Sequence, residues 1–136
     1  MVWRLRAICL GSLLAIFLFI GEASVLLRMY RLTEWLYKQG IRLCPSKKGE
    51  FISRLGFLYE RTSQLEKAKE CYAEACRLMP QEGFLHVELA SVYERQNQTL
   101  LAIESYERGL QLSAGWGSEF KNEIQGRINK LKNLSR

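Results

Sequence analysis

The stretch LGFLYER at residues 55–61 returns 34 residues later as LASVYER at residues 89–95. A fixed spacing of this length indicates a repeated helix–turn–helix unit. Each unit of such an array can bury its apolar face only against its neighbours, so the repeat governs how the rest of the chain is interpreted. Further pairs at the same spacing are Ala68 and Ala102, Tyr72 and Tyr106, and Leu78 and Leu112.

The composition predicts one small all-α domain. The chain has 136 residues, of which 25% are charged and 48% are hydrophobic, an ordinary balance for a folded protein. All 14 acidic residues are glutamate, a good helix former, and only two prolines are present. The net charge of +6 alone could suggest nucleic-acid binding. No RNA-binding aromatic motif or dense Lys/Arg run accompanies it, so nucleic acid is not an expected partner.

The N-terminal residues predict a single transmembrane anchor. Residues 7–20 contain no charge. As a helix, residues 4–28 would rise about 36 Å, which matches a hydrocarbon core of about 30 Å. We therefore expect residues 4–27 to contact the lipid bilayer, with Glu22 close enough to the end of the span to reach headgroups or a partner. Aromatic residues expected in the interfacial belt are Trp3, Tyr30, Trp35 and Tyr37.

A cleaved signal peptide is the alternative interpretation of this segment. Arg4 and Arg6 would form its basic region, residues 7–20 its hydrophobic region and residues 21–23 a small-x-small cleavage site. A retained anchor is favoured, because residues 22–39 contain no Gly or Pro that would interrupt a helix.

The basic residues around the span predict its orientation. Arg4 and Arg6 precede it, but more positive charges follow it. The positive-inside rule then places the C-terminal domain on the cytoplasmic side, or on the stromal or matrix side of an organelle membrane. The periplasmic or luminal side is the alternative. The basic residues after the span are Arg28, Arg31, Lys38, Arg42, Lys47 and Lys48.

The expected architecture is a short α-solenoid with an N-terminal transmembrane helix and a C-terminal capping helix. RLCP at residues 42–45 matches RLMP at residues 77–80, which indicates a half-repeat in front of the two full units. Without a helix breaker before it, this half-repeat continues the anchor, and we expect one long helix over residues 4–43. The predicted divisions are the anchor (1–31), the half-repeat helix (32–48), two repeats (49–115) and the capping helix (116–136).

The helices of the repeats can be bounded from turn and cap signals. Ser63 and Glu66 predict a capping box at the start of a second helix, and Asn97 is expected to cap the next one in the same register. The predicted first helices cover residues 49–61 and 83–95, the second helices 64–79 and 98–112, and the last helix 118–134. An amphipathic stripe on the last helix is expected to pack on the repeats: Phe120, Ile124, Ile128 and Leu131.

The two units resemble the tetratricopeptide repeat. The family pattern places an apolar or aromatic residue and Leu-Gly-x-x-Tyr in the first helix, followed by Ala, an aromatic residue, Ala and Pro in the second. The resemblance implies a protein-binding architecture rather than a particular chemistry. The positions that fit are Ile52, Leu55, Gly56, Tyr59, Ala68, Tyr72, Ala75 and Pro80, and more loosely His86, Leu89, Ala90, Tyr93, Ala102, Tyr106, Gly109 and Ala114.

The resemblance implies a concave groove, lined by the first helices, that binds a peptide or helix. The Lys/Asn clamp with which chaperone-binding members hold a C-terminal carboxylate is absent, because Ser53, Phe57, Val87 and Ser91 occupy those positions. The alternative is that two units make too short a groove and that its residues face only water or a neighbouring helix. The expected lining residues are Glu50, Ser53, Phe57, Glu60, Arg61, Phe84, Val87, Ser91, Glu94 and Arg95.

No residue set predicts catalysis, a cofactor, a metal site or a small-molecule substrate. The chain has one histidine, no aspartate and no Gly-rich phosphate loop. His86 falls on a packing position of the repeat. Glu60 and Glu94 are each followed by arginine, which indicates a solvated face or local ion pairs. The four cysteines lack C-x-x-C spacing and are interpreted as small apolar side chains.

Two functions fit these features. The first is a membrane-anchored protein–protein interaction module that serves as a scaffold or assembly factor beside the membrane. The second is a permanent accessory subunit of a larger membrane complex, in which the span packs against other spans through Gly11, Ser12, Gly21 and Glu22. Both predict protein partners of a membrane complex.

Overall fold

The structure, a computed structural model, describes residues 30–134 as six α-helices and one short 3-10 helix. Each α-helix packs on the next one along the chain, as in a solenoid, which confirms the predicted all-α helical repeat. The helices are α1 (Tyr30–Leu43), α2 (Lys48–Arg61), α3 (Leu65–Leu78), α4 (Gly83–Arg95), α5 (Thr99–Gln111) and α6 (Ser118–Leu134), with the 3-10 helix at Pro45–Lys47.

The bounds of α2 to α6 confirm the sequence prediction, since each helix begins and ends within about one residue of the expected position. Of the long helix predicted over residues 4–43, the structure describes residues 30–43 as α1, which ends before Pro45. The anchor itself lies outside the described residues. Between residues 30 and 134, no helix combines the length and apolar character needed to cross a membrane.

Helix α1 packs into the fold as the expected half-repeat. Tyr37 is only 2% exposed, and its ring centroid lies 6.4 Å from that of Phe51 on α2. The prediction that Tyr37 belongs to an interfacial aromatic belt is therefore wrong. Its position corresponds to Tyr72 of the first full repeat, which is also buried. A polar contact supports the same packing, because the Tyr59 hydroxyl donates to Glu34 Oε1 at 2.8 Å.

The turns after α2 and α4 correct the predicted helix caps. Ser63 and Asn97 both have φ of 59°, in the left-handed region, and neither begins a helix. After Ser63, the Gln64 amide donates to the Tyr59 carbonyl while the Ser63 amide donates to the Glu60 carbonyl. This is the Schellman arrangement that ends a helix. The same bonds recur around Asn97, and α3 and α5 have no side-chain N-cap bond, so both residues stop the first helix of a unit.

Ser63→Gly is expected to raise the free energy of unfolding by about 0.5–1 kcal/mol. A side chain with Cβ is strained in the left-handed region, whereas glycine enters it freely. Asn97→Gly is the matched comparison and should gain less, because asparagine tolerates this conformation better than serine. Denaturant unfolding of both variants measures the difference. A loss of stability in Ser63→Gly would contradict the proposed role of the turn.

The last helix covers the second repeat, as its amphipathic stripe predicts. Ile124, Ile128 and Leu131 are buried against residues of α4 and α5, while Phe120 is partly buried at the edge of the same cluster. The remaining face of α6 is polar and exposed. Helix α6 therefore ends the described stack with a solvated surface.

His86 and two cysteines occupy packing positions. His86 is half-buried, and its pKa is lowered by burial and by the charge of Arg108. Burial raises the pKa of Cys71 and of Cys76 to about 11, so both thiols stay protonated at neutral pH. Both cysteines contribute to the core formed by α1 to α4.

Candidate functional site

A concave groove runs along the first helices of the two repeated units. On its walls stand Phe57 of α2 and Phe84 of α4, which are 46% and 50% exposed. The hollow between them has a volume of about 470 Å³. Exposed aromatic rings in a concavity are suited to hold an apolar side chain of a partner. The hollow is lined by Glu50, Ser53, Arg54, Phe57, Tyr72, Phe84, Leu85 and Glu88.

Glu60 joins the two repeats beside this hollow. Its Oε1 accepts hydrogen bonds from Arg95 Nη1 at 3.3 Å and from Ser91 Oγ at 3.4 Å, both on α4. Its Oε2 accepts a bond from the Tyr72 hydroxyl at 3.2 Å. The Glu60 side chain is only 15% exposed, so these bonds compensate a carboxylate that has lost much of its water. Glu60 therefore has a structural role at the unit boundary.

The same contact recurs one unit further along. The Tyr106 hydroxyl donates to Glu94 Oε2 at 2.9 Å, and Arg127 of α6 lies 3.6 Å from that carboxylate oxygen. Arg127 of the capping helix thus takes the place that Arg95 holds at the first boundary. The sequence offered local ion pairs within each Glu-Arg dipeptide as one interpretation. In the structure each glutamate pairs instead with an arginine of a later helix, Glu60 with Arg95 and Glu94 with Arg127.

Helix α6 closes one end of the groove with aromatic contacts. Phe120 stacks on Phe84 with ring centroids 6.1 Å apart, and Trp116 meets Phe120 edge-on at 5.0 Å. A smaller hollow of about 190 Å³ lies between α4, α5 and α6. Phe84 therefore lies between the two hollows, and the Phe120 ring of α6 supports one side of its own ring.

Glu88 lies at the centre of the concave surface and borders the hollows on both sides of Phe84, as well as a third beside Arg95. Burial, followed by the charge of Glu60, raises the pKa of Glu88 to about 7. The charge of Arg127 and a hydrogen bond from Tyr72 lower it in part. Glu88 is thus partly protonated at neutral pH, which is unusual for a surface glutamate.

A protein-family model described as "Tetratricopeptide repeat" matches residues 50–82 and 85–115, the units whose geometry is given above. The chain contains tetratricopeptide repeats. The family resemblance predicted from sequence is confirmed for these units, and the repeats form a protein–protein interaction module. This kind of fold indicates a binding role rather than an enzymatic one.

One curated relative is similar to part of this chain. Protein O-mannosyl-transferase TMTC1 from Homo sapiens is 38% identical over 66 residues, which are 48% of this chain and 7% of that protein. The match therefore spans a small fraction of the relative. It carries no conclusion about the activity in the relative's name.

Several solved structures share the fold at low sequence identity. The type III secretion chaperone SycD of Yersinia enterocolitica, in complex with a peptide of the translocator YopD, has a TM-score of 0.82 and 12% identity, covering 92% of this chain and 96% of that one. The first repeat domain of Spaghetti (RPAP3), bound to the HSP90 peptide SRMEEVD, has a TM-score of 0.75 and 15% identity, covering 89% and 91%. The Sgt2 domain from Aspergillus fumigatus has a TM-score of 0.75 and 21% identity, covering 89% and 78%.

The structure brings most of the predicted lining residues to one surface. Two members of the predicted set have a different environment. Val87 is 8% exposed and packs against Gly109, and Glu94 is held by Tyr106 and Arg127 and lines none of the hollows described above. Val87 nevertheless borders the smaller hollow. The predicted residues that line the three adjoining hollows are Glu50, Ser53, Phe57, Glu60, Arg61, Phe84, Val87, Ser91 and Arg95.

Sequence reasoning missed Glu88, Arg54 and Leu85 of the α2–α4 hollow. Glu88 lies four residues after Phe84 and Arg54 four after Glu50, so helical periodicity places each on the same face as a predicted residue. This spacing was the available signal for Glu88 and Arg54. It did not indicate that Glu88 would be half-buried, because its burial depends on how closely α3 and α6 approach α4.

Proposed function

We propose that this chain is a membrane-anchored tetratricopeptide-repeat scaffold or assembly factor that holds a protein segment in its concave groove beside the membrane. The observation that carries the proposal is the pair of exposed rings, Phe57 and Phe84, facing one hollow of about 470 Å³. Relatives of the same fold are known with peptides bound, one from YopD and one from HSP90. A peptide-like segment of a protein is accordingly the partner that we propose.

The membrane part of the proposal rests on the apolar residues 4–27 and on the outer face of α1. Leu32, Trp35 and Leu43 are 41%, 54% and 57% exposed on that helix. Arg31 and Arg42 are exposed beside them. A face that combines a Trp, leucines and arginines suits the boundary between headgroups and water. We propose that the repeats lie on the cytoplasmic, stromal or matrix side, following the positive charges after residue 27.

Combined Phe57→Ala and Phe84→Ala substitution is expected to reduce retention of the native protein partner roughly tenfold or more, because apolar anchors dominate such interfaces. The measurement is recovery of the co-purifying chains from gently solubilised membranes with the full chain. Leu100→Ala is the matched control, since Leu100 is 76% exposed on α5 and lines none of the groove hollows. Unchanged retention in the double variant, with an intact helical spectrum, would refute groove binding.

A permanent accessory subunit is the second candidate, favoured by the exposed apolar side chains of α1. Leu32, Trp35 and Leu43 would then be covered by a neighbouring subunit. Mild solubilisation followed by size separation distinguishes the two functions. Co-migration with other membrane-spanning chains that is lost in Trp35→Ala supports the subunit role, and a single species near 15.8 kDa plus detergent refutes it.

A further inference from the structure

Three carboxylates of α2 and α4 line the groove, and two of them already have partners within the chain. Glu50 pairs with Lys47 at 2.5 Å. Glu60 pairs with Arg95 and accepts further bonds from Tyr72 and Ser91. Glu60 therefore helps to hold the two repeats together, and Glu50 already has a cation beside it at the surface.

Glu88 differs from both. Among the described residues it forms no ion pair, and it is half-buried between Phe57 and Phe84. The Tyr72 hydroxyl lies near both Glu60 and Glu88 but has one hydrogen, so it can satisfy only one carboxylate at a time. The ionised form of Glu88 is consequently short of positive partners in a place that a bound segment would enter.

Two of the four arginines that line the hollows around Glu88 are already paired with other carboxylates. Arg95 is committed to Glu60. Arg127 is shared between Glu94 and Glu123, at 3.6 Å and 3.3 Å. A cation that arrives with a partner would meet a carboxylate that Arg127 and Tyr72 stabilise only in part, with apolar walls on either side that exclude water and strengthen the interaction.

We propose that the groove selects a protein segment with a lysine or arginine close to an apolar side chain, the cation pairing with Glu88 and the apolar group lying between Phe57 and Phe84. This inference rests on the proposed function and assigns the chemistry of its partner. The HSP90 peptide SRMEEVD bound to Spaghetti carries a net negative charge, opposite to that of the proposed segment. This chain is expected to disfavour such a peptide, because a negative group would approach an unpaired carboxylate.

The same geometry makes binding depend on pH. A cation stabilises ionised Glu88, whereas free Glu88 is partly protonated at neutral pH. With a pKa of about 7, the ionised fraction rises from roughly one tenth at pH 6 to roughly nine tenths at pH 8, so the affinity for a cationic segment should rise several-fold over that range. The charged and titratable groups around Glu88 are Glu50, Arg54, Glu60 and Arg61 on α2, Tyr72 on α3, Arg95 on α4, Tyr106 on α5, and Glu123 and Arg127 on α6.

Selection from a random peptide library displayed on phage, with the full chain held in detergent micelles, tests the proposal. Peptides selected by the wild type are expected to be rich in Lys or Arg next to Leu, Phe or Met. They should bind several-fold tighter at pH 8 than at pH 6. Glu88→Gln should lose both preferences, and Glu88→Lys should select Asp or Glu instead. Glu70→Gln, an equivalent change at an exposed site on α3 outside the groove, should behave as wild type.

Two outcomes would overturn the proposal and separate it from the proposed function. If Glu88→Gln selects the same cationic peptides with the same pH dependence, the role of Glu88 is wrong while groove binding stands. If the selected peptides bind equally well to the Phe57→Ala and Phe84→Ala double variant, groove binding itself is wrong. Thermal unfolding of each variant confirms that lost binding does not come from lost folding.

Discussion

Gly83→Ala should lower the free energy of unfolding by about 2 kcal/mol, among the largest effects that a single methyl group can have in this protein. A Cβ at Gly83 would lie 2.8 Å from the carbonyl oxygen of Gly109 and 3.0 Å from Leu112 Cβ. Neither atom can rotate away, because both are fixed to the backbone around the end of α5. The methyl group would therefore separate α4 from α5.

Two matched substitutions test this explanation by denaturant unfolding. Gly49 lies 34 residues earlier at the same position of the first repeat. The three atoms nearest to a Cβ there all belong to the flexible Met79 side chain, with Cγ at 2.9 Å, so Gly49→Ala should cost less. Gly126 on α6 has no such neighbour within 4 Å, and Gly126→Ala should stabilise by about 0.5–1 kcal/mol through helix propensity. Equal losses in Gly49→Ala and Gly83→Ala would show that the backbone contact does not matter.

The repeat made much of the fold predictable, because a helical unit has to present its apolar residues at fixed positions to its neighbours. Tyr72 and Tyr106 were predicted as core residues from the 34-residue spacing, and both are buried. The same comparison relates Tyr37 to Tyr72. Its apolar ring beside a predicted span suggested a membrane belt, but the half-repeat requires it in the core. The position of Tyr37 within the repeat therefore determined its environment more strongly than its place beside the predicted span.

Turn conformation was less predictable than helix position. Serine followed three residues later by glutamate has the composition of a capping box, as at Ser63 and Glu66. The same serine also follows directly on the end of α2, where the chain needs a left-handed residue to reverse its direction. Composition alone does not distinguish a residue that ends one helix from a residue that begins the next.

The candidate groove was predictable as a surface but not as an electrostatic environment. Phe57 and Phe84 followed from the family resemblance, and both are exposed on the concave side. The pairing of Glu60 with Arg95 joins residues 35 positions apart, and no local pattern in the sequence indicates it. Glu88 was missed because its environment depends on how closely α3 and α6 approach α4.

Glu88→Gln is expected to raise the free energy of unfolding at pH 8 by about 2 kcal/mol and to leave it nearly unchanged near pH 4. The pKa of Glu88 is raised to about 7 from 4.5 by burial, so the folded state keeps a proton that the unfolded state releases. Stability therefore falls as the pH rises from about 4.5 to about 7 and then levels off. The whole shift would correspond to about 3 kcal/mol, and partial exposure reduces this to about 2.

Glu34→Gln should show the opposite sign and serves as the control. Hydrogen bonds from Lys38 and Tyr59 lower the pKa of Glu34, so its carboxylate stabilises the fold above pH 4.5, and that contribution is lost as the pH falls. Unfolding of the wild type and both variants across pH 4 to 8 measures the two differences. A carboxylate that destabilises the free protein is most easily explained by a partner that compensates it. If Glu88→Gln gives no gain at pH 8, Glu88 is already compensated within the chain, and the reason for expecting a cationic partner disappears.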